Sequence, residues 1–174
     1  MKIHDIFSLS SFKINWILMI IFFIFDFLSK NWVIKNLPLY ETRIVITNYI
    51  ELLHVQNRGI SFSLFSDLPD YIRVPFLVGV SLIAVIVMIY YQTRYWKEID
   101  FYSRLGLVFV IPGATGNLVD RFFYGYVTDF IHFRWYETSF FVNNLADCFI
   151  SIGVIFFILQ IFFQKKNTIS QTKD

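Results

Sequence analysis

The chain reads as an α-helical membrane protein: four transmembrane helices with a small extracytoplasmic subdomain that contains β-structure. Three observations point there. Hydrophobic residues make up 56% of the 174, aromatic residues 21% and charged residues only 16%, whereas a soluble domain is roughly 25% charged. The mean hydropathy is +0.57. Four apolar runs also have about the length that crosses ~30 Å of hydrocarbon. Length predicts a single membrane domain, residues 1–174. A net charge of +2 gives no reason to expect nucleic acid as a partner. Cys148 is the only cysteine, which excludes an intramolecular disulfide and a cysteine-built metal cluster. His4, His54 and His132 show no metal-ligand spacing, so neither a metal nor a cofactor is expected.

The first span is expected at about residues 14–32. It follows Lys2 and Lys13, as a cleavable signal peptide would, but it carries Asp26 and lacks a small-residue cleavage site. It is therefore read as a retained helix. Asp26 and Lys30 share a helix face at i,i+4 spacing. That pair has two readings: an end-of-helix ion pair with Lys30 reaching the interface, or a support for a polar site.

Residues 37–73 are the longest polar interval and predict the outer subdomain. RIVITNYIELLHVQ is rich in β-branched and aromatic residues and predicts short strands. NRGISFSLFSDLP follows, with Gly59 as a candidate hinge and Phe62, Leu64 and Phe65 as interfacial side chains. This piece is expected to pack over the site as a lid. The second span, about 74–91, ends in tyrosines that suit a membrane interface. The third, about 102–119, is interrupted by Pro112, Gly113 and Gly116, which permit either close helix contact or local unwinding. VTDFIHF then alternates as an extended piece would, and the fourth span is expected at about 145–163.

Four spans put both termini on one side. Lys2, Lys13, Arg94, Lys97, Arg104, Lys165, Lys166 and Lys173 fall in short tails and one tight turn, where the positive-inside rule applies best. The termini are therefore expected in the cytoplasm. Asp26, Asn57, Asp129 and Asp147 then converge toward the outer face.

Ionisable groups at the edge of hydrocarbon are costly unless paired or wetted, which makes them a functional-site hypothesis. Here they are concentrated in Gly113–Phe133, with Asn117, Asp120, Arg121 and Asp129, and in NNLADCFISIGV, with Asp147. If Asp129 and Asp147 face one another from separate elements, burial and mutual repulsion let one act as base and the other as acid. Asp120 is read as a local cap or ion-pair residue, and Asn143 and Asn144 as possible caps of the last helix. Arg134 and Lys35 are read as headgroup contacts.

The alternative class is a small proton-coupled transporter or channel subunit that uses Asp26, Asp129 and Asp147 as a relay. It predicts carboxylates spread across the bilayer, and no inverted repeat supports it.

Four segments in order resemble the lipoprotein signal peptidase family (signal peptidase II), aspartic peptidases of the bacterial inner membrane. They are DFLSK at Asp26–Lys30, NRGISFSLF at Asn57–Phe65, GATGNLVDRFFYGYVTDFIHF at Gly113–Phe133, and NNLADCFI at Asn143–Ile150. The resemblance implies that Asp129 and Asp147 are the catalytic dyad. Asn57, Asn117, Arg121 and Asn144 would line the site, with Asp26, Lys30 and Gly59 supporting it. It further implies a reaction: cleavage of diacylglyceryl-modified prolipoproteins on the amino side of the lipidated cysteine. Neither metal nor cofactor would be needed, and the partners would be these substrates and membrane lipids, with the chain a monomer. The implied location is the cytoplasmic (inner) membrane, with the site toward the outer face. Three departures stand out: Pro112 replaces a usual glycine, Ser61 an alanine and Asn143 a phenylalanine.

Overall fold

In the computed structural model, residues 3–59, 65 and 67–171 are described, with side chains for 12–59, 65 and 67–163. The elements follow in order as α1 (Ile3–Asn36), β1 (Thr42–Ile46), β2 (Ile50–Asn57), α2 (Asp70–Arg94), α3 (Phe101–Tyr124), β3 (Val127–Trp135), β4 (Thr138–Asn143) and α4 (Leu145–Gln171). Among the described residues three stretches are long and apolar enough to cross a membrane: Phe12–Asn36, Asp70–Arg94 and Leu145–Phe163. They leave much apolar surface outward, as Ile83 (64% exposed) and Ile161 (65%) illustrate. Such surface is stable only against another apolar phase.

α3 is the fourth helix and is not among those three. Arg104, Pro112, its glycines and Asn117 dilute its apolar run. It packs instead against α1, α2 and α4, most extensively against α4. Of the two readings of its Pro-Gly stretch, close contact holds, because the helix continues unbroken from Phe101 to Tyr124. A Cβ at Gly113 would lie 2.5 Å from the Ala146 carbonyl oxygen, and one at Gly116 would overlap the Asp26 carboxylate. Those two glycines let α4 and α1 approach α3 at the level of the polar residues. Asp100 caps the start of α3 by accepting from the Ser103 amide (3.0 Å). Gly125 ends the helix in the left-handed region, at φ 76°.

The sheet runs in the order β1-β2-β3-β4, antiparallel throughout. The 37–73 interval supplies only half of it, since β3 and β4 come from 127–143. Alternation marks VTDFIHF as extended, but period alone does not say which strand it joins. In the central pairing, Val55 lies opposite Asp129, Asn57 opposite Val127 and Glu51 opposite His132.

The sheet lies where α1 and α3 end and α2 and α4 begin, docked by buried Val33, Leu37 and Phe130 with Leu52, Ile131 and Leu145 around them. At the far end, Met19, Ile99, Leu107, Val108 and Ile111 form the bundle core.

Candidate active site

The start of α4 is built to hold charge. Asn144 caps it, its Oδ1 accepting from the Asp147 amide (2.9 Å), while Asp147 Oδ2 accepts in return from the Asn144 amide (3.4 Å). This reciprocal arrangement is the capping box, and it puts Asp147 in the first helical turn, where the helix dipole favours a carboxylate. A second orphan donor, the Ala146 amide, is taken by Asp26 Oδ1 (2.9 Å) from α1. Asp26 thus caps the helix that carries Asp147, a contact that sequence spacing alone gives no hint of.

Asp129 comes from β3 and is 2% exposed. Both of its oxygens are taken by amides: Asn57 Nδ2 donates to Oδ2 (2.9 Å) and Asn144 Nδ2 to Oδ1 (2.6 Å). Asn144 therefore touches both carboxylate-bearing segments, capping Asp147 through its oxygen and holding Asp129 through its nitrogen. The cap reading of this residue holds, and the same side chain also reaches Asp129. Asp147 receives a further amide, Asn117 Nδ2, on Oδ1 (2.8 Å). Burial first, and then the charge of Asp147, raise the Asp129 carboxyl to about 7 against the lowering effect of the Asn57 and Asn144 amides.

Beneath the pair lies a buried ion cluster. Lys30 is only 2% exposed. Its Nζ sits 2.9 Å from Asp26 Oδ2 and 3.4 Å from Asp120 Oδ2, and donates to Asn117 Oδ1 (2.9 Å). The expected i,i+4 pair forms, but Lys30 points inward instead of reaching the interface, because three acceptors on two helices surround its head. The chain Lys30–Asn117–Asp147 orients the Asn117 amide so that its nitrogen faces the carboxylate.

Asp120 does more than cap locally. Its Oδ2 also accepts the Thr128 amide (2.9 Å), tying the end of α3 to the strand residue beside Asp129. No sequence signal announces that contact, since it crosses the turn at Gly125.

Arg121 Nη2 donates to the Gly59 carbonyl (3.0 Å), and the Gly59 amide donates to Asn57 Oδ1 (3.1 Å). Asp26, Lys30, Asn57, Gly59, Asn117, Arg121, Asp129, Asn144 and Asp147 are thus joined in one network. Residues 60–64 and 66, including Ser61, Phe62 and Leu64, lie outside the described residues, and so does most of the expected lid. Arg134, expected at the headgroups, donates from Nη1 to Glu51 Oε1 (2.6 Å). Asp26, Asp129 and Asp147 gather at one end of the bundle, where a transmembrane relay would need them strung along it.

The fold has solved counterparts. Two structures described as bacterial membrane enzymes, solved in meso at 2.3 and 1.9 Å resolution, superpose on this fold. Their TM-scores are 0.78 and 0.74 over 89% and 86% of this chain, and 91% and 92% of theirs. At 21% and 22% identity this likeness speaks to the fold alone.

The family model for signal peptidase (SPase) II matches residues 18–163, and the chain belongs to that peptidase family. It is 40% identical over 152 residues to a lipoprotein signal peptidase of Rickettsia bellii, covering 87% of this chain and 76% of the relative. It is 35% identical over 153 residues to the lipoprotein signal peptidase of Fusobacterium nucleatum, covering 87% and 88%.

Proposed function

We propose that this chain removes signal peptides from diacylglyceryl-modified prolipoproteins, cutting on the amino side of the lipidated cysteine with Asp129 and Asp147 as the catalytic dyad. The observation that carries the dyad is Asn144, one side chain that caps Asp147 and holds Asp129. The substrate class follows from the family. With Asp129 raised to about 7, that carboxyl is protonated in about half of the molecules at neutral pH, and its protonated form is the one a carboxylate dyad uses as acid.

The ionised member takes a proton from water, and the resulting hydroxide attacks the scissile carbonyl. The protonated member gives its proton to the carbonyl oxygen, forming a neutral gem-diol. On collapse the carboxyl that took the water's proton gives it to the departing amide nitrogen, and a gem-diol hydroxyl returns a proton to the other carboxylate, so water is consumed and both carboxyls end as they began. Asn57, Asn117 and Asn144 fix the carboxylates, and Arg121 holds the backbone at Gly59. That rigidity supplies orientation, worth several kcal/mol when reacting atoms are kept in line.

The chain acts as a monomer in the bacterial inner membrane, its outward apolar faces meeting lipid. α3 crosses as a fourth span inside the ring of the other three, with both termini cytoplasmic and the sheet outside. A synthetic prolipopeptide with a diacylglyceryl cysteine, incubated with purified protein in lipid, tests the substrate class. Mass spectrometry is expected to find a new amino terminus at the lipidated cysteine, and much slower cleavage of the unlipidated peptide. Equal cleavage of both, or none of either, contradicts the proposal.

A further inference from the structure

A second polar cluster, away from the dyad, ties three strands together. Glu51 on β2 and His132 on β3 stand directly opposite one another and are each 7% exposed. His132 Nδ1 lies 3.2 Å from Glu51 Oε2, and its Nε2 lies 2.7 Å from Ser139 Oγ on β4. Arg134 Nη1, two residues along β3, donates to the other Glu51 oxygen (2.6 Å). One carboxylate and one imidazole thus link β2, β3 and β4. None of these four residues lies among the nine of the dyad network.

The cluster sits where the sheet most needs a lock. The β2–β3 pairing shifts between Leu52 and Val55, and the β3–β4 pairing between Phe133 and Arg134. Glu51 is next to the first irregularity and Arg134 is at the second. A slip of one residue turns every side chain of a strand to the opposite face. Beyond the first irregularity, β2 and β3 carry Asn57 and Asp129, whose hydrogen bond spans the same pairing. Asp129 is three residues from His132, and Asn57 six from Glu51. An ordinary hydrophobic pattern gives β2 little help in choosing a register, since its mostly half-buried burial does not alternate.

We infer that Glu51, with His132 and Arg134, is a positioning residue: a register lock on β2 and β3 that keeps Asn57 against Asp129. This rests on Asp129 being catalytic. Glu51 suits the part, since the hydrogen bond from Arg134, aided by His132, holds its carboxyl below the usual range and keeps it ionised despite its burial.

Glu51→Ala removes both arms of the carboxylate, to His132 and to Arg134. It is expected to lower kcat about tenfold or more, as small misplacements do, with KM little changed. The Asn57 hydrogen bond favours ionised Asp129, so loosening it moves the alkaline limb of the pH–rate profile to higher pH. Simple loss of folded protein reduces the amount of active enzyme and leaves that limb in place. Glu51→Gln can still accept from Arg134 and, with the other His132 tautomer, donate to that ring, so it is expected to stay within about twofold of the parent.

A wild-type kcat and limb in Glu51→Ala, or equal damage in Glu51→Gln, overturns the lock. Should Glu51→Ala fail to fold, Arg134→Ala removes the outer arm alone and is expected to shift the limb the same way by less. An unmoved limb there overturns the lock too. Asp129→Asn run alongside separates the two ideas: cleavage by that variant refutes the dyad, whatever Glu51 does.

Discussion

Lys30 holds two carboxylates and an amide with a single buried ammonium. Breaking a buried ion network by deleting one partner strands the others and costs about 3–5 kcal/mol. Lys30→Met is therefore predicted to lower the midpoint of thermal unfolding in detergent clearly, and an unchanged midpoint would mean the cluster is solvated. The i,i+4 spacing makes the Asp26–Lys30 pair legible in the sequence, but the third and fourth partners come from α3 and need the fold. Asp129 gives a second prediction. Its carboxyl titrates near 7 in the fold, against an ordinary value of 3.8. The folded chain therefore holds a proton that the unfolded chain has released, so this group's stabilising contribution is full below about pH 4 and is lost as pH rises to about 7. Activity should decline on the alkaline side as the pair loses that proton, with a limb near pH 7. Asn57→Ala deletes a hydrogen bond that favours the ionised form and should move the limb upward. A profile flat through pH 9, or a limb moving down in Asn57→Ala, contradicts this assignment.

The contact between α3 and α4 sets the distance between Asn117 and Asp147. Gly113 has no room for a methyl group, because the nearest atom is the backbone oxygen of Ala146, adjacent to Asp147. Gly113→Ala should push α4 outward, costing about 1–3 kcal/mol as overpacking does, and should slow cleavage along with it. Gly79 on α2 has nothing within 4 Å of an added Cβ, so Gly79→Ala is the control and should do neither. Equal behaviour of the two variants would mean the helix interface is slack. The Pro-Gly stretch is visible in the sequence as a break in hydropathy, but whether it bends the helix or narrows it depends on the neighbour. The same limit applies at the start of α4. Asn144 is readable as a cap, whereas the caps from Asp26 and the tie from Asp120 to Thr128 join residues 120 and eight positions apart. Nothing in local pattern reports them.

Across the whole molecule, the buried ion cluster of the described residues gathers at one end of an apolar bundle, and a sheet covers that end. Hydropathy alone reveals the bundle, and the motif segments name the polar residues. What neither reveals is that 127–143 completes the sheet begun at 42–57, because strand pairing is a long-range choice. Topology can be checked by thiol labelling in a Cys148→Ser background. Lys97→Cys, in the α2–α3 turn, should react only from the cytoplasmic side, and Glu137→Cys, in the β3–β4 turn, only from outside. Labelling of both from one side would remove α3 as a span.

The most direct test of the dyad replaces Asp129 and Asp147 by Asn, one at a time, and follows lipid-modified prolipoprotein in membranes. Asn keeps the shape and loses the proton chemistry. Each variant should accumulate to normal levels and leave the lipidated precursor uncut, and a mature lipoprotein band of normal intensity with either variant would contradict catalysis by this pair.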